Sequence, residues 1–391
     1  MVGSVASGVI ALQQAAPEMN GVSATRVAFV GSPMGRRPAL AGRNPPLAIA
    51  RVATVIELSR LLGWLEDGDF RPSPEATVEQ LSGFHTRAYL AALRHADRMQ
   101  RVDPAIRERH NIGSFENPVF PGVFRQAALA VGGSILAADL ALEGLTPFHP
   151  AGGTHHGRPD RASGFCFFND PVFAVRRLLE RGVGRVAYVD IDAHHGDGVE
   201  EAFAAEPRVR TISVHEAGRW PWTGGTPGRS VGDAWNLPVP RALTDSEFEW
   251  LLDEAVLPAV ESFAPGAVVI TCGADGLAGD PLAGMQLTNV ALWDAVDRIR
   301  ALAGVAVVLG GGGYNPWTVA RCWTGLWGRL SGRTLPGLLP AAAQDLLAGL
   351  TCDLVDEEDL RPEWISTLAD APQRGRIRDE VRELAGAFGR H

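Results

Sequence analysis

The sequence predicts an α/β fold with a mainly parallel central sheet flanked by helices. Four short, valine-rich apolar runs indicate buried parallel strands, which read as nearly continuous apolar segments. They are Val186–Val189, Thr211–Val214, Ala267–Thr271 and Val305–Leu309. The intervening segments are long enough for crossover helices. Polar residues follow each run, so we expect a functional site at the carboxyl ends of the strands, where open α/β sheets bind ligands.

Composition limits the classes of function. The chain has 391 residues, of which 46% are hydrophobic and 21% charged, as expected of one large globular domain. No stretch approaches the roughly 20 apolar residues of a membrane span, and no signal-peptide pattern opens the chain, so we expect a cytoplasmic protein. The net charge of −9 disfavours a nucleic-acid surface and favours cationic substrates. The oligomeric state stays open.

The remaining elements follow in chain order. Residues 1–25 are small, polar and aperiodic, which predicts a flexible tail before one domain at 26–391. That domain begins with a strand at Arg26–Val30 and a loop at Gly31–Pro46. Helical spacing is found in Leu47–Leu65, Thr77–His95, Gly122–Leu142 and Trp317–Leu330, and helices from about residue 336, including amphipathic Ile377–Phe388, are expected to close the fold. Four widely spaced cysteines are expected to be free thiols.

The densest polar segment follows the first of the four runs. Alternate residues of an extended chain share a face, so Asp190, Asp192 and His194 can point into one cavity. Asp275, at the end of another strand, can complete a set of two carboxylates and one imidazole around a divalent ion. Three protein ligands leave a position open for water or a substrate oxygen, as in catalytic zinc sites. The pattern predicts a metal-dependent hydrolase, although iron or cobalt would also accept these ligands.

Two further segments supply the groups that hydrolysis needs. Adjacent His155 and His156 lie in a loop upstream of the four runs and can act as base and acid near pH 7, or can simply form a structural turn. Asp190 and Asp197 are candidate orienting partners for these imidazoles. Tyr314 follows four glycines and can donate a hydrogen bond to an oxyanion. Phosphate binding by the glycines is disfavoured, because the lysine and hydroxyl residue of a P-loop are absent.

Five ordered segments resemble the signature segments of zinc-dependent histone deacetylases. They are His-Pro-Ala-Gly-Gly-Thr-His-His at 149–156, Ser-Gly-Phe-Cys-Phe-Phe-Asn-Asp at 163–170, Asp-Ile-Asp-Ala-His-His-Gly-Asp at 190–197, Cys-Gly-Ala-Asp at 272–275 and Gly-Gly-Gly-Gly-Tyr at 310–314. The last is most similar to the class I and bacterial acetoin-utilisation branch. The resemblance implies a single deacetylase catalytic domain with the arginase/deacetylase fold, which hydrolyses N-acetyl-lysine in proteins to acetate and free lysine.

The same resemblance implies roles for individual residues. The zinc ligands would be Asp192, His194 and Asp275, and Tyr314 would polarise the carbonyl. His156 would be the main general base and acid, with Asp197 behind it, and His155 its electrostatic partner, with Asp190 behind it. A structural potassium ion would be held by the set Asp190, Asp192, His194, Ser213 and Val214, several of them through backbone carbonyls. The resemblance does not extend to a second such cation site, because Glu206 and Asp233 stand where other residue types would be expected.

The resemblance also outlines an acyl-lysine channel. Its walls would be formed by Gly164 and Phe165 on one side and by Trp220 and Leu282 on the other. Trp220 replaces a usual phenylalanine and is expected to narrow the channel, whereas Glu116 stands near a rim carboxylate that is commonly aspartate. Arg51 is similar to an arginine near the acetate exit. An apolar tube suits the four-carbon stem of lysine.

Three other functions are alternatives to protein deacetylation. A deacetylase of acetylpolyamines or other small acetylated amines remains the nearest alternative, but an acidic gatekeeper would be expected where Leu282 stands. A two-manganese ureohydrolase of the arginase type would need more bridging carboxylates and would leave Tyr314 without a role. A non-catalytic acyl-lysine binding module would be expected to have lost a ligand or the tyrosine.

Overall fold

A computed structural model of the chain describes residues 26–32 and 51–388, and its strands form one sheet. The strands are β1 (Val27–Gly31), β2 (Phe70–Pro72), β3 (Thr146–His149), β4 (Val186–Asp190), β5 (Val209–Glu216), β6 (Gly228–Arg229), β7 (Ala234–Val239), β8 (Ala267–Thr271) and β9 (Val305–Leu309). Their order across the sheet is β2-β1-β3-β9-β8-β4-β5-β7-β6. All pairs are parallel except β6 with β7. The mainly parallel α/β sheet predicted from the sequence is therefore confirmed.

Helices cover both faces of this sheet. They are α1 (Arg51–Leu61), α2 (Val78–Leu81), α3 (Arg87–Met99), α4 (Pro104–His110), α5 (Val123–Leu142), α6 (Asp170–Glu180), α7 (Asp197–Phe203), α8 (Asp245–Leu251), α9 (Leu257–Phe263), α10 (Asn289–Arg300), α11 (Pro316–Leu330), α12 (Ala341–Ala348), α13 (Glu363–Ser366) and α14 (Asp379–Phe388). A π-helical turn at Leu252–Val256 joins α8 to α9, and a 3-10 turn occupies Glu357–Asp359.

Side-chain alternation along β8 divides the core between the two faces. Val269 packs in a cluster with residues of α5 and α6, whereas its neighbour Ile270 packs with Trp293 of α10 and Trp323 of α11. Phe388 at the end of α14 belongs to the second cluster, so the C-terminal helices close the same core. Both faces of the central strands β4 and β8 are buried, which explains why these strands read as continuous apolar runs.

The register of the parallel strands places the carboxyl ends of β3, β4, β8 and β9 side by side, and the polar loops follow these ends. Asp190 of β4 pairs with Ser213 of β5 and Thr271 of β8, Thr271 pairs with Leu309 of β9, and Leu309 pairs with His149 of β3. The segments that follow this row therefore leave the sheet at one edge. His149 ends β3, so the His155-His156 loop also follows a strand, one that is not among the four runs recognised in the sequence.

Other boundaries differ from the sequence expectations for local reasons. The helix expected over Thr77–His95 is divided into α2 and α3, because Thr77 and Thr86 each accept a capping hydrogen bond and so begin separate helices. Residues 33–50 lie outside the described part of the chain, as do the expected tail at 1–25 and residues 389–391. The four cysteines are free thiols, as expected.

Helix α5 departs from the expectation that no segment has the length and composition of a membrane span. Among the described residues it alone meets that test, with 20 residues. However, 67% of its most apolar window is buried inside the protein. Its contacts with α6 and β3 are those of a core helix, so its composition is explained by packing.

Candidate active site

Two carboxylates and one imidazole meet at the carboxyl edge of the sheet. Asp192 and His194 lie in the loop after β4, and Asp275 lies in the loop after β8. Nδ1 of His194 is 2.9 Å from Oδ2 of Asp275 and 3.3 Å from Oδ1 of Asp192. One ligand atom from each residue lies within 4.8 Å of the others, and all three side chains are buried. This arrangement can hold one metal ion.

Backbone groups hold these carboxylates in place. The N–H groups of Gly312 and Ala193 donate to Asp192 Oδ2 at 2.6 Å and to Asp275 Oδ1 at 3.0 Å. A Cβ atom on Gly312 would lie only 2.0 Å from Oδ2 of Asp275. The glycine run after β9 is therefore needed because its backbone approaches the carboxylates closely.

The charges in this cluster favour a bound cation. Burial and the charge of Asp192 raise the pKa of Asp275. Burial opposes ionisation of Asp192, but His155 and His194 together hold its pKa below the ordinary value. Burial would also lower the pKa of His194, yet the two carboxylates raise it to about 10. Two buried carboxylates and one imidazole are a donor set that fits zinc, and a divalent ion would relieve the repulsion between the carboxylates.

The adjacent histidines each bind a buried aspartate. Nδ1 of His155 lies 2.6 Å from Oδ2 of Asp190, and Nδ1 of His156 lies 2.8 Å from Oδ1 of Asp197. The centroids of the two imidazole rings are 3.9 Å apart. Because each Nδ1 faces a carboxylate, each Nδ1 carries a proton and donates it in a hydrogen bond. Nε2 of His156 is thereby left as the atom that can accept or release a proton.

The two imidazoles differ in charge. Burial would lower the pKa of His155, but the carboxylates of Asp190 and Asp192 raise it to about 9. Burial and the charge of His155 lower the pKa of His156 to about 3, despite its hydrogen bond to Asp197. A cationic His155 therefore lies beside a neutral His156. The neutral imidazole of His156 can act as a base.

Two residues behind these pairs were not singled out by sequence reasoning. Tyr188 Oη lies 2.6 Å from Oδ2 of Asp190, and Arg158 donates to Oδ2 of Asp197 at 2.5 Å. Tyr188 carried a usable signal, because it lies two residues before Asp190 and so shares its face of β4. Arg158 reaches Asp197 only through the tertiary fold.

A buried carboxylate at the start of α6 organises the histidine loop. Asp170 accepts hydrogen bonds from the N–H groups of Gly153 at 3.0 Å and Thr154 at 2.7 Å. Its neighbour Asn169 donates to the carbonyl oxygen of His155 at 3.1 Å. Both residues were in a recognised sequence segment but had been given no role. Together they fix the backbone immediately before the two histidines and at His155 itself.

Tyr314 directly follows the glycine run after β9 and lies beside the metal-ligand candidate His194. Its N–H donates to Oδ2 of buried Asp280 at 2.7 Å, and its ring is perpendicular to that of His194, with 6.4 Å between centroids. Burial and the neighbouring carboxylates, Asp275 first, raise the pKa of the phenol well above its usual value. The hydroxyl therefore keeps its proton and can act as a hydrogen-bond donor.

A cavity of about 170 Å³ connects these groups. His156, Phe165 and Tyr314 line it beside the metal cluster, and Arg51 and Phe120 are among its other lining residues. The guanidinium of Arg51 donates to the carbonyl oxygen of Gly311 at 2.9 Å. A small acyl group can therefore be enclosed next to the metal ligands.

The channel residues predicted from the sequence are only partly assembled. Gly164 lies against the indole of Trp220, since a Cβ atom on Gly164 would be 2.2 Å from Cη2 of that ring. The Trp220 ring in turn stands edge to face with His156, with centroids 4.6 Å apart. Gly164 and Phe165 line the cavity, whereas Trp220, Leu282 and Glu116 are not among its lining residues; Glu116 instead accepts a hydrogen bond from Asn111.

The residues predicted for a potassium site lie in two neighbouring segments, the end of β4 with the loop after it and the interior of β5. Ser213 of β5 pairs in register with Asp190 of β4, and Val214 follows it in the buried part of β5. Oγ of Ser213 lies 2.9 Å from Nδ1 of His215. The loop of Asp192 and His194 begins directly after Asp190, so the five expected residues come from two adjacent segments.

Comparison with known proteins identifies the family. Residues 45–330 match the model described as the histone deacetylase domain. Similar proteins include histone deacetylase 8 of Xenopus laevis, 34% identical over 273 residues that cover 68% of this chain and 83% of the relative. Acetoin utilization protein AcuC of Bacillus subtilis is 33% identical over 302 residues, covering 73% and 78% of the two chains. The crystal structure of an HDAC homolog from Aquifex aeolicus matches with a TM-score of 0.87 and 35% identity, over 93% of this chain and 99% of that one. The chain therefore belongs to the histone deacetylase family and is a deacetylase hydrolase.

Proposed function

We propose that the protein hydrolyses N-acetyl-lysine amides in proteins with the help of one zinc ion, and releases acetate and free lysine. The observation that carries this proposal is the convergence of three kinds of group on one cavity. Metal-ligand candidates, a neutral imidazole and a protonated phenol all line it or lie beside it. Amide hydrolysis needs these three functions together.

Asp192, His194 and Asp275 would hold the zinc ion. Bound there, zinc would lower the pKa of a water molecule and polarise the acyl carbonyl. The remaining steps are assigned to this chain's own residues. Tyr314 would donate its phenolic proton in a hydrogen bond to the carbonyl oxygen as negative charge develops on it. This role depends on the raised pKa of the phenol, which keeps the donor protonated at neutral pH.

His156 would move the proton that hydrolysis transfers. Its Nδ1 is occupied by Asp197 Oδ1 at 2.8 Å, so Nε2 would take the proton from the attacking water and then give it to the departing amine of lysine. Cationic His155, held by Asp190, would stabilise negative charge without exchanging its own proton. Arg51, on the cavity wall, would favour the acetate product by its positive charge.

We also propose a potassium ion beneath the metal loop, held by Asp190, Asp192, His194, Ser213 and Val214. The support is the adjacency of the two segments and the register of β4 with β5. Such an ion would stabilise the loop that carries two of the zinc ligands, mainly through backbone carbonyl oxygens. Its binding would be read out as a potassium-dependent rise in thermal stability in a titration against sodium.

The nearest alternative substrate is a small acetylated amine. The acidic net charge of −9 is favourable for such cations. Leu282, however, is apolar where a polyamine-specific enzyme would be expected to carry an acidic residue. Protein acetyl-lysine is therefore preferred, with acetylpolyamines as the competing substrate.

The test measures acetate release by zinc-loaded protein from an acetyl-lysine peptide and, separately, from an acetylated polyamine. Each reaction is repeated after removal of metal by a chelator and again after zinc is restored. Peptide turnover that is lost with the chelator and recovered with zinc supports the proposal. Turnover confined to the polyamine would instead assign the enzyme to small amines.

A further inference from the structure

Trp222 is an exposed aromatic residue in an unfavourable backbone conformation, two residues after Trp220, whose ring packs against the cavity residue His156. Its side chain is 73% exposed, and its φ of +66° lies in the left-handed region that bulky L-residues rarely adopt. Exposure and backbone strain both act against stability, and no burial offsets them. Such residues persist where the surrounding structure holds them, and they cluster at functional sites.

The surrounding loop does hold Trp222 on both sides. Its N–H donates to the carbonyl oxygen of Arg219 at 2.8 Å. Thr223 Oγ1 lies 2.8 Å from Nδ1 of His195, and the carbonyl oxygen of Gly224 accepts from Nε2 of His215 at 3.0 Å. His195 directly follows the ligand candidate His194 in the chain, so the loop is tied to the metal site itself.

Hydrogen bonds from Arg219 hold the start of this loop in place. The guanidinium of Arg219 makes two hydrogen bonds to the buried carboxylate of Glu216, at 2.7 and 2.8 Å, and a third to the carbonyl oxygen of Leu282 at 2.7 Å. Trp220, the next residue, lies against Gly164 and His156. Trp222 is therefore presented from a rigid loop whose other tryptophan forms part of the proposed channel.

A second exposed aromatic residue, Phe115, lies on another loop that contacts the chain near Gly164. Among the described residues, only Phe115 and Trp222 are aromatic side chains with most of their surface exposed, and Phe115 is 86% exposed. The loop of Phe115 is joined to the chain just before Gly164, because Asn111 donates to the carbonyl oxygen of Ala162 at 3.1 Å. Trp222 and Phe115 thus expose aromatic side chains on two loops, each of which contacts the chain at or near Gly164.

We infer that Trp222 is a specificity-determining residue, which stacks on the polypeptide next to the acetyl-lysine and so favours acetyl-lysine within a protein chain over the isolated amide. This inference rests on the proposed function and narrows its substrate class. An indole offers a large, rigid surface for apolar, aromatic or cationic neighbours of the modified lysine. An isolated acetyl-lysine would be held by the channel alone.

The test compares kcat/KM for two substrates of the zinc-loaded protein. One is a hexapeptide with an acetyl-lysine flanked on both sides, and the other is a single acetyl-lysine with both termini blocked. The Trp222→Ala and Trp222→Gly variants are expected to lower the ratio of peptide to single-residue kcat/KM by about three- to tenfold. Met99→Ala, which removes another exposed apolar side chain, at 60% exposure, is expected to leave the ratio unchanged.

Thermal stability separates recognition from a merely structural role. Glycine tolerates a positive φ, so Trp222→Gly is expected to keep or raise the unfolding midpoint while it lowers the substrate ratio. An unchanged ratio, or an equal fall for both substrates, would overturn the inference and leave deacetylation intact. A wild-type protein that hydrolyses neither substrate would overturn the proposed function first, and the inference with it.

Discussion

Nδ1 of His155 lies 2.6 Å from Oδ2 of Asp190, and both residues are buried beside the candidate metal ligands. Asp190 is also the last residue of β4, so one carboxylate joins the sheet, the histidine loop and the metal loop. The position of His155 therefore depends directly on the position of a strand end. This relationship gives the first prediction.

Asp190→Asn is expected to lower kcat about 10- to 100-fold, the usual cost of losing an orienting partner behind a catalytic imidazole or metal ligand. The amide cannot provide the negative charge that keeps His155 cationic. Tyr188→Phe is the matched milder change, because it removes only the phenolic oxygen that lies 2.6 Å from the same carboxylate. Steady-state kinetics of both variants check this prediction. A wild-type kcat in Asp190→Asn would show that His155 needs no anionic partner.

Gly312→Ala is expected to abolish stoichiometric zinc binding. Its Cβ would lie 2.0 Å from Oδ2 of Asp275 and 3.0 Å from Oδ2 of Asp192, so at least one carboxylate would have to move. Gly337→Ala is the control, because no atom lies within 4 Å of the Cβ it would add. Zinc per chain after dialysis distinguishes the two variants. Full zinc content in Gly312→Ala would mean that these carboxylates are not the ligands.

Acid stability should depend on His85, which lies away from the metal cluster. Its Nδ1 lies 3.0 Å from the carbonyl oxygen of Arg158, and its Nε2 accepts from the N–H of Asn169 at 3.2 Å. Only the neutral ring with a proton on Nδ1 satisfies both contacts. Burial accordingly lowers the pKa of His85 to about 3.

The depressed pKa of His85 gives the sign of this pH effect. The unfolded state takes up a proton near pH 6.5 and the folded state does not, so stability from the neutral ring is present above pH 6.5 and is lost as the pH falls towards 3. When the unfolded state binds one more proton than the folded state, the free energy of unfolding falls by about 1.4 kcal/mol for each pH unit of acidification. Unfolding midpoints of His85→Gln measured from pH 7 to 5 should fall less steeply than those of the wild type. The exposed His95→Gln control should follow the wild-type slope, and equal slopes in all three proteins would contradict the assignment.

The cluster of candidate metal ligands could be predicted from the sequence, because each ligand lies shortly after a strand that the sequence pattern identifies. Asp192 and His194 alternate beyond one valine-rich strand, and Asp275 lies in the loop after another, so the parallel sheet brings them together. The strand β3 was missed because Thr146–His149 is only four residues long and contains a proline. Its position between β1 and β9 depends on pairing with distant segments, which no local pattern reports.

The supporting residues were harder to predict, because long-range contacts determine their positions. Asp170 reaches the histidine loop from the start of α6, and Arg158 reaches Asp197 across a separation of 39 residues. Leu282 and Glu116 lie on loops whose side-chain directions do not follow from a strand or helix period, and neither lines the cavity. The positions of these loops along the chain could be predicted from the sequence, but the directions of their side chains could not.

The measurement that tests the account most directly is acetate release from an acetyl-lysine peptide by zinc-loaded wild-type protein and by Tyr314→Phe, with the zinc content of both determined. We expect one acetate per free lysine formed, no reaction after metal removal, and a kcat lowered about 10²- to 10³-fold in the variant at unchanged zinc content. Removing the hydroxyl leaves the Tyr314 ring beside Phe165, so the fold should be unaffected. Wild-type turnover by Tyr314→Phe, or acetate release that persists without metal, would contradict it.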